Sequence, residues 1–216
     1  MSATASKIWV DGDPVMSLTS QPSPDLSDLR DALRTAAPPG SRVALKLDRD
    51  LPASVSLPIL HAVLRSGVGS PWLYVLGPTG HPAGIGLNLP VRGSNAADPN
   101  ADVAADPSSA GWANPTLTLD SEGEITIAAF DRVYDGVVVP CPDDCPRGAP
   151  ATDLNRVLRR LKLDHPRDRA IRVKPEPDST VQAMVTTLDA SRDDTFTALG
   201  SRQLFPTAVV DPRPNP

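Results

Sequence analysis

Apolar residues recur at helical spacing in two stretches, one in each half of the chain. The residues concerned are Leu26, Leu29, Leu33 and Ala36 in the first stretch, and Leu154, Val157, Leu158 and Leu161 in the second. Spacings of three and four residues predict amphipathic helices whose apolar stripe faces the core. Each half therefore contains at least one helix that packs against another layer.

A strand, a turn and a second helix follow each stripe. Val43–Leu47 alternates apolar and less apolar positions and predicts a strand, as does Ala170–Val173. A turn rich in Asp and Pro comes next, and then a helix with apolar residues between Val55 and Leu64 in one half and between Val181 and Leu188 in the other. Side chains suited to capping predict the helix starts. The predicted caps are Ser23, Ser54, Thr152 and Ser179.

This order of elements repeats at a nearly fixed distance. Asp28 and Asp153 lie 125 residues apart, and Arg42 and Arg169 lie 127 apart. A two-fold internal repeat in 216 residues favours two domains of similar size. The predicted fold class is α+β, with two tandem domains that each hold a small mixed sheet and two helices packed on one of its faces.

Short strands complete each predicted domain. Lys7–Val10 and Val15 flank an Asp-Gly turn and predict a hairpin, which we match to the hairpin of Thr116–Leu119 and Glu124–Ile127 in the second half. The remaining strands follow from short apolar or β-branched runs. They are Trp72–Leu76, Gly84–Val91, Val137–Val139 and Thr207–Val210.

The predicted boundaries follow from these elements. The first domain covers residues 6–91 and the second covers residues 116–210. Residues 92–115, rich in Ala, Asp and Pro, predict an extended acidic linker. Residues 140–150 form an insertion that has no counterpart in the first half.

Composition excludes several partners. A formal charge of −5 with mixed signs offers no basic surface for nucleic acid. No apolar run is long enough to cross a bilayer, and the first residues lack the apolar segment of a signal peptide. We expect a soluble segment, and the sequence leaves open an anchor or a signal upstream of Met1.

The two cysteines lie in the insertion, at Cys141 and Cys145. Three intervening residues exclude the C-x-x-C spacing of thioredoxin-like redox sites. A local disulfide in an oxidising compartment is the expectation, with two free thiols or a metal site as alternatives. Zinc would need two more ligands, and no pair of histidines has the spacing of a metal site.

No motif in the sequence predicts catalysis, a cofactor or a metal. Ser, His and Asp occur without a nucleophile elbow, and His61 and His165 are interpreted as polar surface residues. Trp112 stands out in the polar linker, where it either packs against a domain or stacks on a ligand. Trp72 and Trp112 are therefore the candidate residues for contact with a partner or ligand.

The order of segments resembles the periplasmic domain of the ExbD/TolR family of biopolymer transport proteins. The segments are KIWVDGDPV, DLRDALRTA, VALKLDRDLP, ILHAVLRSGV and WLYVL, all within residues 6–91. The second half is similar but has KPEPD in place of LDRDLP and no glycine that ends its second helix. The transmembrane helix of the family, with its proton-linked Asp, has no counterpart here.

The resemblance implies a periplasmic or cell-envelope protein without enzymatic activity, associated with the inner membrane if an upstream anchor exists. Family members are subunits of proton-driven energy transducers, and their periplasmic domains pair as dimers. We therefore expect an interaction module that binds an extended segment of a partner protein at a sheet edge. The two halves would form a pseudo-dimer, or the chain a homodimer. The alternative is a protein that binds peptidoglycan or another cell-wall ligand, with Trp72 or Trp112 as its platform.

Overall fold

The computed structural model describes residues 2–3, 7–10, 13–17, 26–41, 43–68, 71–76, 82–86, 112–141, 145, 149–194, 202–205 and 207–210. Only the backbone is described at residues 2–3, 7–10, 16–17, 71–76, 82–86, 193–194 and 202.

Each half of the chain supplies strands and two helices. The elements of the first half are β1 (Ser2–Ala3), β2 (Lys7–Val10), β3 (Asp13–Ser17), α1 (Ser27–Ala36), β4 (Val43–Leu47), α2 (Ala53–Arg65), β5 (Pro71–Leu76) and β6 (Pro82–Gly86). Those of the second half are β7 (Thr116–Leu119), β8 (Ile125–Ala128), β9 (Val137–Val139), α3 (Ala151–Asp164), β10 (Ala170–Pro175), α4 (Val181–Arg192), β11 (Asp193–Asp194), β12 (Arg202–Gln203) and β13 (Thr207–Val210).

The strands form two mixed sheets with the same internal order. The first sheet runs β3-β2-β1-β4-β5-β6 and the second runs β9-β8-β7-β10-β13. In both, the strand after the first helix pairs in parallel with a strand on each side, while the opening strands pair antiparallel. The short β11 and β12 pair separately. The α+β class is confirmed.

The shared order corrects one prediction and adds an element. Because β1 occupies in the first sheet the position of β7 in the second, the hairpin of β2 and β3 corresponds to β8 and β9. Our match of that hairpin to Thr116–Ile127 is therefore wrong by one strand. The first sheet also begins at Ser2, before the predicted boundary at residue 6.

The leucines of the apolar stripes are buried as the sequence predicts, whereas Ala36 is exposed, and the helices begin differently. Leu29 and Leu33 of α1 are buried, as are Leu154 and Leu158 of α3. No side-chain cap bonds the start of α1, α2 or α3, so the caps proposed at Ser54 and Thr152 are wrong, while Ser23 lies outside the described residues. Ser179 donates instead to the carbonyls of Leu119 and Asp120 (2.8 and 3.0 Å), and Thr180 Oγ1 accepts from Ala183 N–H.

The starts of α2 and α4 are bonded to each other across the two halves. Pro52 and Thr180 form an isolated antiparallel bridge, flanked by four backbone hydrogen bonds. These run from Ala53 N–H to Ser179 O (2.7 Å), from Val181 N–H to Leu51 O (2.9 Å), from Ser54 N–H to Pro177 O (2.8 Å) and from Gln182 N–H to Arg49 O (2.9 Å). The first N–H groups of each helix, which have no partner within the helix, thus use carbonyls of the opposite turn.

This junction has local two-fold symmetry. The donors Ala53 and Val181 lie 128 residues apart, and so do the acceptors Leu51 and Ser179. Each half therefore donates to the other half two hydrogen bonds equivalent to the two that it accepts. The buried apolar residues form a single cluster that includes members of both halves.

Candidate functional site: the apolar edge of the second sheet

Strand β9 is the last strand of the second sheet and pairs, within the described residues, only with β8. Its three residues are all valine, of which Val139 is buried and Val138 is exposed. An edge strand turns some of its backbone N–H and C=O groups away from the sheet, where another chain can bond to them. This edge is therefore a template for an added strand.

Exposed apolar side chains concentrate beside this edge. Among the described residues, the large hydrophobic side chains classed as exposed are Phe130 (58%), Val133 (72%), Val138 (48%) and Leu163 (68%). Phe130, Val133 and Val138, which we call the apolar patch, lie within nine residues on β9 and the loop before it. Clustered exposed hydrophobic residues commonly mark an interaction surface.

Polar side chains hold the patch loop in its conformation. Asp131 Oδ1 accepts the N–H of Val133 (2.9 Å), and Asp135 Oδ1 accepts that of Ala129 (3.1 Å). Gly136 has φ +76°, in the left-handed region that glycine adopts without strain. Such side-chain turns stabilise a loop locally, so Phe130 and Val133 stay outward although they are apolar.

Tyr134 anchors the loop to the end of α3. Its side chain is buried and its hydroxyl donates to Asp164 Oδ2. Burial, followed by the hydrogen bond to Asp164, raises the pKa of Tyr134 to about 12, although Arg160 acts in the opposite direction. The phenol therefore stays protonated and remains a donor at neutral pH.

His165 forms a second anchor. Its Nε2 lies 2.8 Å from Asp131 Oδ2, and its ring contacts Tyr134 edge to face with centroids 6.2 Å apart. The backbone hydrogen bond from Val133, and then the one from His165, lower the pKa of Asp131. Our interpretation of His165 as a polar surface residue is wrong, because the side chain is buried between the loop and α3.

Asp168, three residues after His165, binds the end of the predicted linker. Its buried Oδ2 accepts the N–H groups of Ala113 (3.0 Å) and Asn114 (3.1 Å), and burial raises the pKa of this carboxyl. Lys162 donates to the backbone carbonyl of Asp168 and lies over the ring of Phe205 (5.3 Å to the centroid). Residues 92–111 of that linker lie outside the described residues.

An open pocket of about 400 Å³ lies on the solvent side of α3. Its lining, which we call the arginine pocket, consists of Arg156, Arg159, Arg160, Leu163 and Asp164. Positions i, i+3, i+4 and i+7 of a helix share one face, and this face is opposite the buried leucines of α3.

Of the residues predicted as sites, the structure joins the two cysteines to each other. Cys141 and Cys145, two and six residues beyond β9, are joined by a disulfide. Trp112 is half-buried, and Trp72 lies in β5, where its side chain is outside the described part of the structure. Sequence reasoning missed the apolar patch, whose signal was Phe130 and Val133 standing within a run of turn-forming residues.

The described residues contain no helix long and apolar enough to span a membrane, and no group of three or more potential metal ligands. Beyond the chain itself, no protein family, curated protein or solved structure matches it.

Proposed function

We propose that the chain is a non-enzymatic interaction module of the cell envelope, similar to the periplasmic domains of the ExbD/TolR family, which binds an extended segment of a partner protein. The observation that carries the proposal is the apolar patch, which combines Val138 on an edge strand with two exposed side chains of the loop before it. Strand addition needs an open edge for main-chain bonds and apolar contacts beside it, and among the described residues β9 has both.

The corresponding edge of the first sheet is less suited to this role. Strand β3 ends that sheet and carries exposed Asp13 and Pro14. Charge and proline are the devices by which proteins block pairing at an edge. The three valines of β9 carry neither, so β9 is the edge that we propose for the partner.

The size of the surface favours a transient complex. Burying the exposed parts of Phe130, Val133 and Val138 gives on the order of 1–2 kcal/mol each. A three-residue strand adds only a few main-chain bonds, and association itself has an entropic cost of several kcal/mol. We therefore expect dissociation constants of roughly micromolar or weaker for the edge alone.

The junction and the disulfide support two further parts of the proposal. Reciprocal bonds between the turns at residues 49–54 and 177–182 favour an intramolecular pseudo-dimer over a homodimer built from the same faces. A disulfide at Cys141 and Cys145 fits an oxidising compartment such as the periplasm. Trp112, the candidate platform of the peptidoglycan alternative, is half-buried, and its neighbour Ala113 accepts the N–H of Phe130 (2.8 Å), so it lies beside the apolar patch and not at a separate site.

Site-specific photo-crosslinking in the source cells tests the proposal. A crosslinking side chain at Val138 is compared with one at Pro14 on the equivalent edge of the first sheet. We expect an adduct with an envelope protein from position 138 only, and protection of the β9 amides from hydrogen exchange by that purified partner. Retention of the chain on purified peptidoglycan, with no protein adduct from position 138, would support the cell-wall alternative instead.

A further inference from the structure

The arginine pocket is joined to the apolar patch by one side chain. Tyr134 follows Val133 of the patch, and its hydroxyl bonds Asp164 of the pocket lining. Arg160, also in the lining, is close enough to Tyr134 to affect its ionisation. A segment that lies along the patch therefore has the pocket within reach of its neighbouring residues.

The pocket is positively charged in an acidic protein. Three arginines and one aspartate line it, whereas the whole chain has a formal charge of −5. Arg156 is 2.6 Å from Asp153, but both side chains are more than half exposed. Exposed ion pairs contribute little free energy, so the pair with Asp153 is no obstacle to binding of a carboxylate by this arginine.

The first half of the chain does not share this charge. Leu29 and Leu33 of α1 are equivalent to Leu154 and Leu158 of α3, at a distance of 125 residues. At that distance, Arg156 corresponds to Asp31 and Arg160 to Thr35. Arg34, the one arginine retained, pairs with Asp31 (3.1 Å) and donates to Ser66 O. The cationic surface is thus particular to the second half.

From the patch and the pocket together, we propose that the partner segment is acidic, with apolar residues that lie along β9 and Asp or Glu side chains that enter the arginine pocket. This inference rests on the proposed function and names the chemistry of its partner. The planar guanidinium group binds carboxylates through paired hydrogen bonds, and the arginines of the pocket stand together on the solvent side of α3.

The test uses peptides selected from a random twelve-residue display library on the full chain, with their affinities measured by fluorescence anisotropy. The Arg156→Asp/Arg160→Thr variant gives the second half the residues of the first. The Arg65→Asp/Lys46→Thr variant makes the same change in net charge at exposed positions of the first half. Val138→Lys blocks the proposed edge. Thermal unfolding checks that each variant is folded.

We expect the selected peptides to combine apolar residues with Asp or Glu. The pocket variant should lose about tenfold or more in affinity, and the matched charge variant much less. Wild-type binding should also weaken as salt is raised, because exposed charges are screened, and the pocket variant should respond less.

The remaining outcomes separate the two proposals. Peptides that bind the pocket variant as tightly as the wild type, yet are lost with Val138→Lys, would overturn the acidic segment and leave the edge intact. Peptides insensitive to Val138→Lys, or no selected peptides at all, would overturn both. Binding of anionic lipid vesicles through the same arginines, with no peptide preference, would likewise contradict a peptide partner.

Discussion

Replacement of Asp168 by alanine removes the acceptor that holds the segment before β7. Oδ2 of Asp168 accepts the N–H groups of Ala113 and Asn114, and the carboxyl is buried. In the alanine variant, the N–H of buried Ala113 loses its partner in a place that water does not reach. Asn114 is half-buried, so its N–H recovers solvent more easily.

The expected loss of stability follows from the two N–H groups that lose their acceptor. An unsatisfied buried donor costs about 1–3 kcal/mol, and the Asn114 bond adds less. Removing a carboxylate from a buried site returns part of this free energy, because burial disfavours its charge. We therefore expect Asp168→Ala to lower the free energy of unfolding by about 2 kcal/mol, measured by urea denaturation followed by circular dichroism, and to speed hydrogen exchange at Ala113.

Asp168→Asn is the matched control, since its amide oxygen still accepts both N–H groups. Burial raises the pKa of Asp168 in the folded state, so the wild type gains stability below the unfolded pKa and loses it as pH rises through the folded pKa. The stability of Asp168→Asn relative to wild type should therefore increase from about pH 4 upwards. A loss below about 0.5 kcal/mol for alanine, or an opposite pH trend for asparagine, would refute this account.

Further substitutions test other contacts. Asn155→Ala removes a buried donor to Ala190 O (2.7 Å) and should cost about 1–3 kcal/mol in urea denaturation, against little for exposed Thr152→Ala; equal losses would contradict the role of that bond. Ser179→Ala should cost about 1–2 kcal/mol, whereas Ser54→Ala should be nearly neutral, and the reverse order would restore Ser54 as a cap. The pKa of Asp131 is lowered, so its contribution to stability is present above its unfolded pKa and is lost on acidification. Asp131→Asn should therefore show a weaker acid destabilisation below about pH 4 than the wild type, and an unchanged acid profile would argue against a pKa lowered by the Val133 and His165 hydrogen bonds.

The periodicity of the apolar residues and the residue types of the turns were sufficient to predict most helices and central strands. The leucines of both stripes are buried where the spacing places them, although Ala36 is exposed, and Gly67, with φ +73°, follows the end of α2. β1 was missed because two residues give no pattern, and its position depends on pairing with β4, more than forty residues away. The starts of α2 and α4 were mistaken because the carbonyls that satisfy their first N–H groups belong to the other half of the chain.

The candidate site was harder to predict than the fold. A sheet edge is defined by which strands pair, and periodicity does not specify strand order. In the sequence, Phe130 and Val133 look like parts of a turn. Only the structure shows that hydrogen bonds to Asp131 and Asp135 hold the loop with both side chains outward. The Arg156, Arg159 and Arg160 surface was visible in the sequence, but its proximity to the patch depends on the contact between Tyr134 and Asp164.

Hydrogen exchange of the intact protein, with and without a saturating selected peptide, tests strand addition at β9 most directly. We predict slower exchange of amides within Val137–Val139, with no change in Asp13–Ser17 on the equivalent edge of the first sheet. The Val138→Lys variant should lose this protection. Protection of Asp13–Ser17 instead, or a bound peptide that leaves the β9 amides unprotected, would contradict the account.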